Sequence, residues 1–351
     1  MGGLRPLAAV LLGAMIAASA PVVAGQDKWQ VQRSVPMSQS QLYDALLDAL
    51  YATFGNHPGF RIAHARGVLV NGTFVASKAA QGLSRAAHLQ GNIVPILVRF
   101  SNFSGVPSTR DGDPDASPHG MAIRFELPGG LSTDIVAHSY DGFPVATPEA
   151  FLVFLQGIAA SVATPANPAP LQAFLADHPR AQAFLEAAKP APRSYSSSEY
   201  FGVNSLVFVD AQGGRHVGRY RIEPQLKEPP LGSAQLAAMP DDYLQRAMAG
   251  RLAVGPVNLR LMLQLAEPGD AIGDGSIPWP RQGAQAHAEV ELGILTLRAL
   301  VPSSQQATAQ QTVAFDPGGL VDGIETSTDP MIAARHEIYR RAALRRRQPG
   351  S

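Results

Sequence analysis

No cysteine occurs anywhere in the 351 residues. Disulfide staples, thiolate nucleophiles, cysteine-ligated zinc and iron–sulfur clusters are therefore excluded. The chain also lacks an excess of either charge, with 28 Lys and Arg against 28 Asp and Glu. That balance disfavours a nucleic-acid binder driven by phosphate neutralisation, and equally a polybasic membrane-surface protein. No G-x-S-x-G elbow, G-x-G-x-x-G or Walker loop, H-E-x-x-H pair or internal repeat is found. Serine hydrolases, nucleotide-binding folds and zincin proteases are disfavoured accordingly.

What is present begins with a leader pattern. Arg5 precedes an apolar Leu- and Ala-rich stretch, and Val22 and Ala24 fit the −3 and −1 positions of a cleavage site. Residues 1–24 read as a secretory signal peptide, with residues 25–351 as one mature domain in the periplasm. An uncleaved anchor is the alternative, but Gly, Pro and Ala dilute the apolar run, so no stable membrane anchor is expected.

Ser38 and Gln41 have capping-box spacing, and Leu42, Ala45, Leu46, Ala49 and Leu50 recur with helical period. A helix is expected there, broken by residues 55–60. Asn71-Gly72, within 67–76, predicts a hairpin. Residues 93–103, 120–127 and 132–139 read as strands. Thr147 and Pro148 open a helix over 147–163, and another is expected around 170–187. Residues 205–224 form a hairpin about Gln212-Gly213-Gly214. Residues 241–267 pass from helix to strand, and 287–301 are a strand pair or one bent strand. A long loop with Pro317, Gly318 and Gly319 leads to a C-terminal helix from about 329. Without βαβ alternation, the class is α+β with antiparallel strands.

Four segments carry candidate chemistry. Arg335 and Tyr339, four apart on a helix, place a guanidinium beside a phenol, which favours phenolate, a hard oxygen ligand for ferric iron. A solvated arginine-rich surface is the plainer reading of the same stretch. His64, between Arg61 and Arg66, suits proton transfer or a hydrogen-bonded structural role. Arg99 and Ser101 alternate onto one strand face, suiting an anionic ligand or an exposed sheet. Asp134 and His138 raise the idea of a metal pair or triad, but no recognisable ligand spacing completes it.

In this order, the segments resemble the catalase family, and more closely the small exported catalase-related haem peroxidases. "RIAHARG", "VRFS", "SPHGMAIRFEL", "DIVAHS" and "AFDPGGLVDGIETSTDPMIAARHEIY" carry the resemblance, which is collinear over roughly 55–347 and weakest at 160–235. It implies a closed antiparallel β-barrel with surrounding helices, binding haem b. Tyr339 matches the iron ligand and Arg335 the residue holding it as phenolate. His64 matches the distal catalytic histidine and Ser101 the serine bonded to it. Arg61, Arg99 and Arg346 match propionate contacts, and Phe151 a distal aromatic. His138 stands where large catalases carry a peroxide-orienting asparagine. His336 is a competing candidate ligand.

The implied activity is reduction of hydrogen peroxide or an organic hydroperoxide by an unidentified reductant, with weak catalase activity. A haem carrier or sensor and a lipid-hydroperoxide-rearranging enzyme are the alternatives. The chain lacks the terminal extensions that wrap large catalases into tetramers, so a monomer or small homo-oligomer is expected.

Overall fold

The computed structural model describes residues 37–348. The leader, the segment 25–36 and residues 349–351 lie outside the described residues. Helix α1 (Gln39–Phe54) starts at the expected capping box: Gln41 N donates to Ser38 Oγ at 3.3 Å, and Ser38 N donates to Gln41 Oε1 at 2.9 Å. Its apolar stripe, including Leu42, Leu46 and Leu47, packs against Leu152 and Leu155 of α2 (Pro148–Val162) and Ala334 and Ile338 of α7 (Pro330–Arg347). Thr147 Oγ1 caps α2 as expected, accepting from Ala150 N.

Strands β1 (Gly67–Ala76), β2 (Ile93–Ser101), β3 (Gly120–Glu126), β4 (Ser132–His138) and β5 (Tyr200–Phe201) run antiparallel in turn. The order continues through β7 (Arg215–Pro224), β8 (Val257–Leu265) and β9 (Glu289–Leu300), and β9 pairs back onto β1. These eight strands close a barrel, so no sheet edge in that circuit is left open. Outside it, β6 (Leu206–Val209) forms the expected hairpin with β7, and β10 (Ile324–Thr326) pairs with β6. The α+β barrel expected from the sequence is therefore observed.

The side-chain period of two sorts each strand into two faces. Val70, Phe100, Ile123, Phe125, Leu261 and Leu295 fill the barrel interior. The outward rows of β1 to β4 are also covered, because Leu69 packs with Val301 and Phe315. A second buried layer thus lies outside the barrel, between its wall and helices α1, α2 and α7.

Three expectations are corrected. Asn71-Gly72 is no hairpin: β1 is continuous, and the register against β9 shifts between these residues. A Cβ at Gly72 would lie 2.5 Å from Thr296 O, so a bulge and close approach explain the glycine. The helix expected near 170–187 is two helices, α3 (Ala169–Asp177) and α4 (Pro179–Glu186), divided where Pro179 cannot continue the first. The loop before α7 contains α6 (Ser303–Thr312), a helix with no buried side chain. The remaining long helix, α5 (Tyr243–Val254), precedes β8 as expected, and β9 is one strand. Among the described residues, no helix is long and apolar enough to cross a membrane.

One interior residue gives a measurable consequence. His88 is 1% exposed, against Phe125 and Phe74, and neither ring nitrogen has a partner. Burial lowers its pKa to about 4. The unfolded chain therefore binds a proton below pH 6.5 that the folded chain refuses until near pH 4. Stability tied to this group is intact above pH 6.5 and falls as pH drops to 4, by about 3 kcal/mol in all. His88→Leu is expected to remove that loss. Urea unfolding of both chains at pH 7 and 4.5 checks it: equal acid loss in the two would contradict the assignment.

Candidate functional site

The second buried layer encloses two adjoining chambers. The first, with about 130 Å³ open to the centre of a water-sized sphere, is lined by Arg61, Arg99, Ser101, Ala122, Phe315 and Arg346 among others. The second, with about 180 Å³ by the same measure, is lined by His138, Phe143, Phe151, Phe154, Met331 and Arg335 among others. Ala63, His64, Val136, Ala137, Ile338 and Tyr339 line both. The chambers are therefore one slot, with barrel strands forming one wall and α7 part of the other.

Strand register builds the barrel wall. Arg99, Ala122 and Val136 stand side by side, as do Ser101, Gly120 and His138. All six point outward, so the shared face expected for Arg99 and Ser101 is real and extends over three strands. His64 leans on this wall. Ser101 Oγ is 3.1 Å from its Nδ1, which fixes the ring and leaves Nε2 for a ligand. A Cβ at Gly120 would lie 2.7 Å from both His64 Nδ1 and Ser101 Oγ, so only glycine admits this pair.

His64 has φ 57, alone among the described non-glycine residues in the left-handed region. Such backbone costs roughly 1–3 kcal/mol and persists when its surroundings enforce it. Here His64 N donates to Phe103 O at 2.9 Å, and Arg99 donates to His64 O at 2.8 Å. Burial, then the charge of Arg99 and the nearby His138, lowers the His64 pKa to about 3. The imidazole is neutral at neutral pH and able to accept a proton.

His138 is half-buried with both ring nitrogens shielded from solvent, and burial followed by Arg335 lowers its pKa to about 3. Both its ring nitrogens lack a partner. Asp134 does not join it. That carboxylate is taken by Arg124, at 2.9 and 2.7 Å, and by Asp316 N. The metal-pair idea fails, and among the described residues no group of three or more His, Cys, Asp or Glu could hold a metal ion.

Arg61, Arg99 and Arg346 gather at one end of the slot, and among the described residues none has an acidic partner within 4 Å. Arg61 and Arg346 donate instead to the C-terminal carbonyls of α6 and beyond: Arg61 to Gln310 O and Val313 O, and Arg346 to Gln311 O and Val313 O. The negative end of a helix dipole suits them. Gln310 Oε1 accepts from Arg99 Nε at 3.0 Å. Burial lowers the pKa of Arg99 and of Arg346 to about 10, and burial together with Arg99 and Arg346 lowers Arg61. Two buried cations and a half-buried third, without a carboxylate, make a strong anion site.

On α7, the Arg335 guanidinium lies 5.8 Å from the Tyr339 ring centroid and donates to Asn204 Oδ1. Asn204 Nδ2 donates to Asp329 Oδ2 at 2.7 Å, and Asp329 Oδ1 caps α7 by accepting from Met331 N. His336 faces elsewhere: its Nδ1 is 2.8 Å from Asp316 Oδ1, and it lines neither chamber. Phe151 lines the second chamber beside Phe143, 5.0 Å between ring centroids. Every site residue expected from the sequence thus lines the slot. Missed were Asn204 and Asp329, which hold Arg335, and Gln310, which holds Arg99. Phe315 was inside a quoted motif, unassigned. It is pinned under Arg124, 5.5 Å from its ring centroid.

A slot lined by a phenol and an imidazole, with three cations gathered at one end, suits an anionic group that takes an oxygen ligand. The family model described as Catalase matches residues 22–350, and the chain belongs to the catalase family. It is 36% identical over 306 residues to the catalase-related peroxidase of Mycolicibacterium paratuberculosis, covering 86% of this chain and 94% of that protein. It is 32% identical over 299 residues to the catalase-related peroxidase of Synechococcus elongatus, covering 84% and 86%. The solved structure of a fungal catalase superposes with a TM-score of 0.73 at 22% identity, covering 94% of this chain and 67% of the other.

The slot fits the haem of this family: a phenol oxygen for ferric iron, cations for two carboxylates, apolar walls for the ring. His138, its ring nitrogens without a partner, lines the second chamber of the slot.

Proposed function

We propose that the chain is a haem b peroxidase that reduces a hydroperoxide at the expense of an organic electron donor, with weak catalase turnover. Tyr339 would hold the iron, and Arg335 would set a positive charge beside that anionic oxygen. Arg61, Arg99 and Arg346 would hold the two propionates. Haem, when bound, supplies a ferric Lewis acid and the capacity to store two oxidising equivalents.

The observation that carries the reading is His64, held by Ser101 at 3.1 Å and lining the same slot as Tyr339. His64 takes the hydroperoxide proton and returns it to the oxygen that leaves, which departs as water or alcohol rather than as an anion. Proton transfer of this kind is worth ~10²–10⁴-fold. His138, with both nitrogens free, orients the peroxide by hydrogen bonding. The balance is ROOH plus two electrons and two protons giving ROH and water, the electrons coming from the donor.

Arg5, the apolar run and the Val22–Ala24 site support export to the periplasm. A monomer or small homo-oligomer is proposed for the mature chain. The deciding experiment is an absorbance spectrum of the purified protein, followed by peroxide with a chromogenic donor. A Soret band with catalytic dye oxidation is expected. A Soret band that only bleaches would make the protein a haem carrier, and no Soret band would overturn the whole reading.

A further inference from the structure

Between Val301 and Phe315, both buried, no side chain is buried. This stretch, 302–314, is α6 with its flanks. Within α6 only Gln306, Ala309 and Gln310 are half-buried, and the other residues are exposed. Helix α5 is of similar length and buries Tyr243, Leu244 and Met248. Apolar burial is what makes a helix resist local opening. In α6 it is limited to Ala309, against the cluster of Leu69, Val301 and Phe315. Hydrogen bonds therefore carry the attachment.

Those bonds fall into two sets. Gln306 grips the barrel wall: its Nε2 donates to Leu69 O at 2.8 Å and to Val301 O at 3.1 Å, and its Oε1 accepts from Leu69 N at 3.1 Å. Gln310 Nε2 donates to Gly67 O at 2.8 Å. The second set is cationic. Arg61, Arg99 and Arg346 line the first chamber and also donate to Gln310, Gln311 and Val313. The arginines thus stand between the slot and this segment, and Ala314 at its end lines the slot too. With no anion beside them, the three like charges repel one another, which loosens the second set. A guanidinium has five N–H donors. These bonds, with those of Arg99 to His64 O and Ala65 O, use two donors on Arg61, two on Arg346 and three on Arg99. Each arginine keeps donors for an anion. An anion in the slot therefore adds bonds without displacing the segment, and it offsets the repulsion.

The two ends are fixed. Val301 N donates to Leu69 O at 3.0 Å, and Asp316 N donates to Asp134 Oδ2 at 2.7 Å. We infer that residues 302–314 are a lid on the arginine end of the slot, which lifts to admit the prosthetic group and is locked down once an anionic group meets Arg61, Arg99 and Arg346. This rests on the haem reading above and adds the route of entry and release. Lifting would also part Gln310 from Arg99, the residue that holds the His64 carbonyl at 2.8 Å. A shut lid thereby supports the backbone of the proton-transferring histidine.

The test is hydrogen–deuterium exchange, read by mass spectrometry, on the haem-loaded protein and on the same chain after haem extraction. Helix α5, which lines neither chamber, is the internal reference. In the extracted protein, peptides within 303–314 are expected to exchange about a hundredfold or more faster than those of α5, and loading should shrink that ratio about tenfold or more. Transfer of haem to excess apomyoglobin supplies a second readout. Gln306→Ala cuts the first set of bonds and leaves the arginines alone. It should speed transfer about tenfold or more, with the Soret band and the exchange of α5 unchanged. A global loss of stability would speed α5 as well. Exchange of 303–314 as slow as that of α5, or transfer from Gln306→Ala at the parent's rate, overturns the lid and leaves the haem reading standing. A parent with no Soret band overturns both. The parent's exchange is read without the variant, so a Gln306→Ala chain that fails to fold does not blunt the test.

Discussion

Tyr339→Phe is expected to abolish haem retention while leaving the barrel folded. The substitution removes one oxygen and keeps the ring, so packing beside Ile338 on α7 changes little. No replacement donor stands ready. His336, one turn back, is committed to Asp316 at 2.8 Å and lines neither chamber. The purified variant should show no Soret band, with far-ultraviolet circular dichroism like that of the parent. Arg335→Leu, which leaves the ligand but removes its neighbouring charge, should weaken haem affinity more mildly, by roughly 10–100-fold. Full haem retention in Tyr339→Phe would transfer the ligand role to another residue. Equal loss in the two variants would mean that the charge matters as much as the ligand.

The arginine-rich tail shows how far the sequence speaks and where it stops. Arg335 and Tyr339 were legible because helix geometry alone brings residues four apart together. Roles for the arginines beyond Tyr339 were mostly not. Arg341 pairs with Asp44 at 2.6 Å and lies over Tyr43, and Arg345 pairs with Asp48 at 3.2 Å and lies over Tyr51. Arg340 pairs with Glu337, and Arg347 donates to Thr312 O. Those of Arg341, Arg345 and Arg347 dock α7 onto α1 and α6. Exposed pairs contribute about 0–1 kcal/mol each. Apart from Glu337, the partners lie about three hundred residues away in the chain, or in a helix with no buried side chain, so no local pattern announces them.

The same division holds across the fold. Strands β2, β3 and β4 were visible because alternation and burial agree. The Asn71-Gly72 turn signal failed because β1 is paired on both sides, to β2 and to β9, and the glycine serves close approach instead. Helix α6 escaped because its sequence, rich in Gln, Ser and Thr, buries nothing. Its work is done by backbone carbonyls and by Gln310, which hold Arg61, Arg99 and Arg346 in place. Asn204 was missed for a related reason. Its role depends on a loop between β5 and β6 meeting α7, a contact that exists only once the barrel has closed.

His64→Ala carries the largest kinetic effect. Haem should remain bound, because Tyr339 and the three arginines are untouched. Cleavage of the hydroperoxide should slow by ~10²–10⁴-fold, the value of a positioned general base that also acts as acid. Stopped-flow absorbance on the haem-loaded variant measures this step directly, and a rate within a few-fold of the parent would remove His64 from the mechanism. The pH profile of the parent supplies an independent check. Because the His64 pKa is lowered to about 3, its basic form prevails at all pH values above that point. The rate of the cleavage step should therefore stay flat as pH falls from 7 to about 4, where an imidazole of ordinary pKa would already have lost most of its activity. Ser101→Ala separates orientation from basicity. It removes the 3.1 Å partner of Nδ1 and lets the ring turn, so the rate should fall while the flat profile survives. An acid limb near pH 6.5 in the parent would mean that the imbalance of burial and positive charge around this ring is relieved in the working enzyme. The base would then be a group that protonates where free histidine does.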